Sequence, residues 1–118
     1  MRKFHDARKH TDLTYVLGIR LDSARRRAQQ FGWACDITIE HLRELYEKAP
    51  YCALTRVPFD LTQKRLTVSL DRIDSAVGYV IGNVRLITYH VNVALNEFGD
   101  AHLYELARAL LANAPTPS

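Results

Sequence analysis

The sequence predicts an α+β fold: a two-stranded hairpin and the helix after it, packed with helices from both ends of the chain. Three observations carry this. "LTVSLD" alternates, with Leu66, Val68 and Leu70 on one face and Thr67, Ser69 and Asp71 on the other, the period of a half-buried strand. A loop holding Gly78 and Gly82 separates it from a second short strand, "NVRLI". "TYHVNVALNEFG" follows at once with helical spacing, placing Val91, Ala94, Leu95 and Phe98 on one face before the stop at Gly99.

The flanking segments read as helices. In "LDSARRRAQQFG", Ala24, Ala28 and Phe31 form the apolar stripe, Arg25, Arg26 and Arg27 cover the rest, and Gly32 ends it. "DITIEHLRELYEKAP" starts a second helix with Thr38 as N-cap and Glu40 in the first turn; Ile39, Leu42 and Tyr46 are its buried stripe and Pro50 its end. "YCALTRVPFDL" has the character of a tight hairpin or knuckle. "DAHLYELARALLANA" is the last helix, capped by Asp100, with Leu103, Leu106 and Leu110 inward. The organisation is a basic N-terminal segment over 1–19, one domain over 20–112 whose strand–loop–strand–helix core covers about 66–98, and a flexible polar tail over 113–118.

The chain has 118 residues, 47% hydrophobic and 25% charged, the composition of one globular domain rather than a disordered chain. No apolar run has the length of a membrane span, and no apolar stretch follows the basic start as a signal peptide requires. Cys35 and Cys52 read as reduced thiols of a cytoplasmic protein. The formal charge is +3, but Met1 to Cys35 holds eight Lys/Arg against three Asp/Glu. That asymmetry points to a polyanion, nucleic acid first, or to a solvated basic surface.

Asp71 lies at a strand end on its polar face. Asn92 and Asn96 are four apart on one side of a helix, with Tyr89 a turn before. A carboxylate and an amide offer hard oxygen ligands suited to Mg²⁺, the other positions being left to water and phosphate. His90 falls about 200° around the helix from Asn92 and faces away. His5, His10, His41 and His102 have no spacing of a ligand set.

"SLDRID…GYVIGNVRLITYHVN" resembles the HNH, or ββα-metal, endonuclease motif, in the "DRID…GY…GNV…N" form of small phage and prophage proteins. The likeness covers roughly Tyr51 to Phe98. It implies a metal-dependent DNA endonuclease or nickase using one divalent cation, Mg²⁺ or Mn²⁺, in a bacterial or phage-infected cell. Asp71 and Asn92 would be the metal ligands. Asn83 would tie the loop together and position the base. Arg25, Arg26 and Arg27, with Arg72 at the phosphate, would meet DNA.

Two departures from the family pattern matter. Relatives with structural zinc carry two Cys-x-x-Cys pairs; here the positions read Cys52 with Thr55 and Thr88 with Val91. No structural zinc is expected, and packing of Cys52, Leu54, Val57 and Phe59 is expected instead. Arg72 stands where the family keeps its general-base histidine, and a guanidinium stays protonated near neutral pH. Asp74 could take that role, the cation could activate water unaided, or the domain could be a catalytically silent module that binds DNA or a host protein. A bend after Asp71 would be needed for Arg72 and Asp71 to face one metal. Oligomeric state is open.

Overall fold

A computed structural model describes residues 11–116. Among these, four α-helices surround one antiparallel pair of strands, in the order α1 (Leu13–Phe31), α2 (Ile39–Lys48), β1 (Val68–Arg72), β2 (Val84–Thr88), α3 (Tyr89–Leu95) and α4 (Gly99–Ala112). The α+β class is as expected. Most of the basic N-terminal segment, with His5 and His10, lies outside the described residues.

The first helix starts at Leu13, earlier than the expected Leu21. Asp12 caps it by accepting from the Tyr15 amide at 3.3 Å. Val16, Leu17 and Leu21 extend the buried stripe of Ala24 and Ala28 toward the N-terminus, so packing carries the helix through Gly18. Gly32, at φ +74°, ends it as a left-handed C-cap. Phe31 is not in the stripe: it is 55% exposed and stacks on Trp33. The second helix has its Thr38 cap, Leu42 fully buried, and Tyr46 stacked on Phe59.

Residues 51–58 form the expected tight turn. The Cys52 amide donates to Val57 O at 2.8 Å, the Arg56 amide to Cys52 O at 2.9 Å, and Arg56 takes φ +66° at the tip. A 3₁₀ turn, Lys64–Leu66, leads into β1, so the strand begins at Val68 rather than Leu66. The strands pair in regular register, Asp71 opposite Arg85 and Arg72 opposite Val84. Arg20 of α1 donates its Nε proton to Val68 O at 2.8 Å, tying α1 to β1.

The sheet divides the core. Val68, Val84 and Leu86 pack with the buried stripes of α1 and α2. Ile87 turns the other way, joining Cys52, Val91 and Leu95 with Leu54 and Leu103 at the margin. Of the residues expected to pack around Cys52, Leu54 does so. Val57 is 39% exposed, and Phe59 belongs to the first cluster. Cys52 itself is fully buried. Burial raises its pKa, but hydrogen bonds from the Thr55 hydroxyl and from the Thr55, Thr88 and Leu54 amides outweigh that and lower it to about 7.

Two expectations for the C-terminal helices change. The third helix ends at Leu95, before Gly99, because Asn96 turns into a positive φ of 44°; Ala94 and Phe98 are therefore exposed. The fourth has no buried residue. Leu103 touches the second cluster, but Leu106 and Leu110 are 42% and 63% exposed: among the described residues neither cluster reaches the far end of this helix. Asp100 is in its first turn and bonds Arg85 rather than capping backbone. No helix among the described residues is long and apolar enough to cross a membrane.

Candidate functional site

The loop between the strands is built around Asn83, which is 9% exposed. Its Oδ1 accepts from the Asp74 amide at 2.9 Å. Its Nδ2 faces the carbonyls of Asp74, Val77 and Gly78 at 3.1, 3.1 and 2.8 Å. One amide thus satisfies the polar backbone at both ends of the loop, which would otherwise be orphaned inside it. The loop docks on the strand-like stretch after α1: the Tyr79 amide donates to Ala34 O at 2.9 Å and the Asp36 amide to Tyr79 O at 3.1 Å. Asp36 also accepts from the Ile81 amide at 2.9 Å. Gly78 permits this approach, since a Cβ there would sit 2.2 Å from Ala34 O.

This loop fixes the end of β1, where a cleft of about 660 Å³ opens. Asp71, Asn92, Asn96, Arg85 and Asp100 line one side of it; Arg27, Arg72 and Tyr79 line the other. Ser69 and Asp71 share a strand face, about 7 Å apart along it. Asn92 donates from Nδ2 to Ser69 Oγ at 2.7 Å, so α3 holds its amide over the face that carries Asp71.

Arg85, directly across the ladder, organises the acidic side. Its Nε donates to Asp71 Oδ2 at 2.9 Å, while Nη1 and Nη2 grip both oxygens of Asp100 at 2.9 and 2.7 Å. The two carboxylates respond in opposite directions. Arg85 holds Asp100 below the usual carboxylate range. Asp71 is raised: burial is the largest cause, and Asp100 adds repulsion, which the single bond from Arg85 does not offset. Arg85 is itself raised, first by Asp100. The guanidinium therefore belongs mainly to Asp100, and it engages only Oδ2 of Asp71.

Those donors fit a single hard cation in part. Among the described residues no three His, Cys, Asp or Glu side chains converge as a cage. One carboxylate with amide oxygens suits Mg²⁺, which keeps several waters and takes phosphate oxygens.

Other expected residues sit elsewhere. β1 runs regularly through Arg72, with no bulge, so that side chain leaves on the face opposite Asp71. Its Cζ lies 3.6 Å from the centre of the Trp33 ring, and Nη1 donates to Ser75 O at 2.7 Å. Arg72 reaches the cleft from the loop side and is no proton acceptor. Asp74 turns its carboxylate back on its own loop, Oδ1 accepting from the Ala76 amide at 2.9 Å, and it does not line the cleft. All three successive arginines are exposed, but only Arg27 lines the cleft; Arg26 falls on the far side of α1, away from Ala24 and Ala28. Tyr89 lies under Lys64, away from the cleft; His90 is exposed.

Sequence reading missed Arg85, Asp100 and Trp33. Arg85 was open to discovery, because an antiparallel register that pairs Arg72 with Val84 puts Arg85 opposite Asp71. The grip of Asp100 and the place of Trp33 depend on tertiary packing and left no local signal. Comparison with protein-family models, curated proteins and solved structures gives no match to this chain.

Proposed function

We propose that the chain is a metal-dependent DNA endonuclease or nickase acting through an HNH-type site. The observation that supports this best is that Asp71 and Asn92 share one cleft, held by a loop that Asn83 pins. Asp71 and Asn92 would hold one Mg²⁺ or Mn²⁺, which supplies charge neutralisation of the scissile phosphate and of the leaving oxygen. Arg85 orients Asp71. Arg27 and Arg72 meet phosphate from the opposite side. Arg72, in the position of the family's base, cannot accept a proton, so the proton of the attacking water leaves to solvent. Cleavage should then keep rising with pH, without the plateau that a side-chain base gives above its pKa.

Supercoiled plasmid incubated with the protein and Mg²⁺ or Mn²⁺ should convert to open circles, and Asp71→Ala should abolish this. Failure to nick with either metal overturns cleavage. It leaves a second reading, a silent DNA-binding module, which the occupation of Asp71 Oδ2 by Arg85 favours. Its signature is salt-sensitive DNA affinity that survives Asp71→Ala. Absence of DNA binding at low salt would point instead to a protein partner.

A further inference from the structure

Trp33 sits between two flat groups. The Arg72 guanidinium carbon lies 3.6 Å from its ring centre, close enough to occupy that face. Phe31 stacks at 4.9 Å with 25° between the planes, and with one face taken it must lie on the other. The order is therefore guanidinium, indole, phenyl, and the stack ends in a ring that is 55% exposed. Closing the end of α1 needs only one face of Phe31. The other is open among the described residues. Arg27, one helical turn before Phe31, has its guanidinium 6.0 Å from the Trp33 ring and lines the cleft with Arg72. Among the described residues, only one Arg72 nitrogen, Nη1, is engaged by carbonyls, at Ser75 and Val77 of the loop. An open aromatic face with Arg27 one helical turn away, and Arg72 at the other end of the stack, complements a base attached to a phosphate-bearing strand.

We propose that Phe31 is a stacking platform for an unpaired base of single-stranded DNA, with Arg27 meeting the nearby phosphate and Arg72 a phosphate farther along the strand at the cleft. The inference rests on the reading of the cleft as a nucleic-acid site and names its substrate form. A base inside a duplex has both faces covered by its neighbours, so only an unpaired base can lie on this ring. The cleft would then receive single-stranded DNA, or the unpaired segment of a flap or bubble.

The test compares a labelled thymidine oligonucleotide, an abasic strand of the same length and a duplex, by fluorescence anisotropy at low salt. Phe31→Leu, which keeps apolar bulk without a ring, should weaken the thymidine strand roughly 5- to 150-fold. It should leave the abasic strand and the duplex unchanged. Phe31→Tyr should bind the thymidine strand like the parent. Equal affinity of parent and Phe31→Leu for the thymidine strand overturns the proposal. So does an abasic strand bound as tightly as thymidine, a matching loss on duplex, or no binding at all. Cleavage of plasmid and of a labelled bubble duplex, each beside Asp71→Ala, separates the two readings. Base-dependent affinity without nicking removes only cleavage; nicking by a protein indifferent to Phe31→Leu removes only the platform.

Discussion

Asp71 is the residue whose chemistry and stability pull apart. Burial, then repulsion from Asp100, raises its pKa despite the bond from Arg85. A carboxyl with a higher pKa folded than unfolded disfavours folding once ionised. That cost is full above the folded pKa and vanishes as pH falls through it toward the unfolded value of about 3.9. Asp71→Asn keeps an acceptor for Arg85 Nε and removes the charge. Its melting temperature at pH 7 is expected to equal or exceed that of the parent, the difference closing near pH 4, while metal-dependent nicking is lost. A clear drop in melting temperature at pH 7 would show that the ion pair outweighs burial.

At the scale of elements, the loop between β1 and β2 carries the site. Gly78 lets it reach Ala34, and Gly82 turns it at φ +92°. Gly78→Ala forces the loop off the stretch after α1 and should cost roughly 1–3 kcal/mol in denaturant unfolding. It should also expose Trp33 and weaken DNA binding; an unchanged unfolding midpoint would mean the loop adapts freely. These local features were legible beforehand. The period-two strand and the Thr38 cap follow from short stretches of sequence, and the tie made by Asn83 from the motif resemblance. The end of α3 was not: Asn can turn into positive φ and end a helix, but Gly99 is the stronger stop in the sequence, and the chain turns at Asn96 first. Phe31 was misplaced for a related reason. It continues the spacing of Ala24 and Ala28, but α1 outruns the core there.

At the scale of the molecule, two apolar clusters on opposite faces of the hairpin hold α1, α2 and α3, whereas α4 is attached by Leu103 and the Arg85–Asp100 bond. Helical spacing foretold the apolar stripe of α4, but not what it would meet. Amide exchange should therefore be fast in α4 beyond Leu103 and slow in α1. Asp100 is held below its usual pKa, so its contribution is present above the unfolded value and is lost as pH falls through the folded one. Asp100→Asn at pH 7 should reproduce that acid loss, speeding exchange in α4 and leaving α1 unchanged. Equal acceleration in both helices would contradict a separately attached α4.

The stack around Trp33 has one more consequence. The chain contains a single tryptophan. It joins the end of α1 to Arg72 of β1 and, at 6.1 Å, to Tyr79 of the loop. Its emission is thus a built-in gauge of the cleft's loop side and largely blind to α4. A shift in colour on heating dates the release of that loop, and comparison with circular dichroism shows whether the loop lets go before the helices melt.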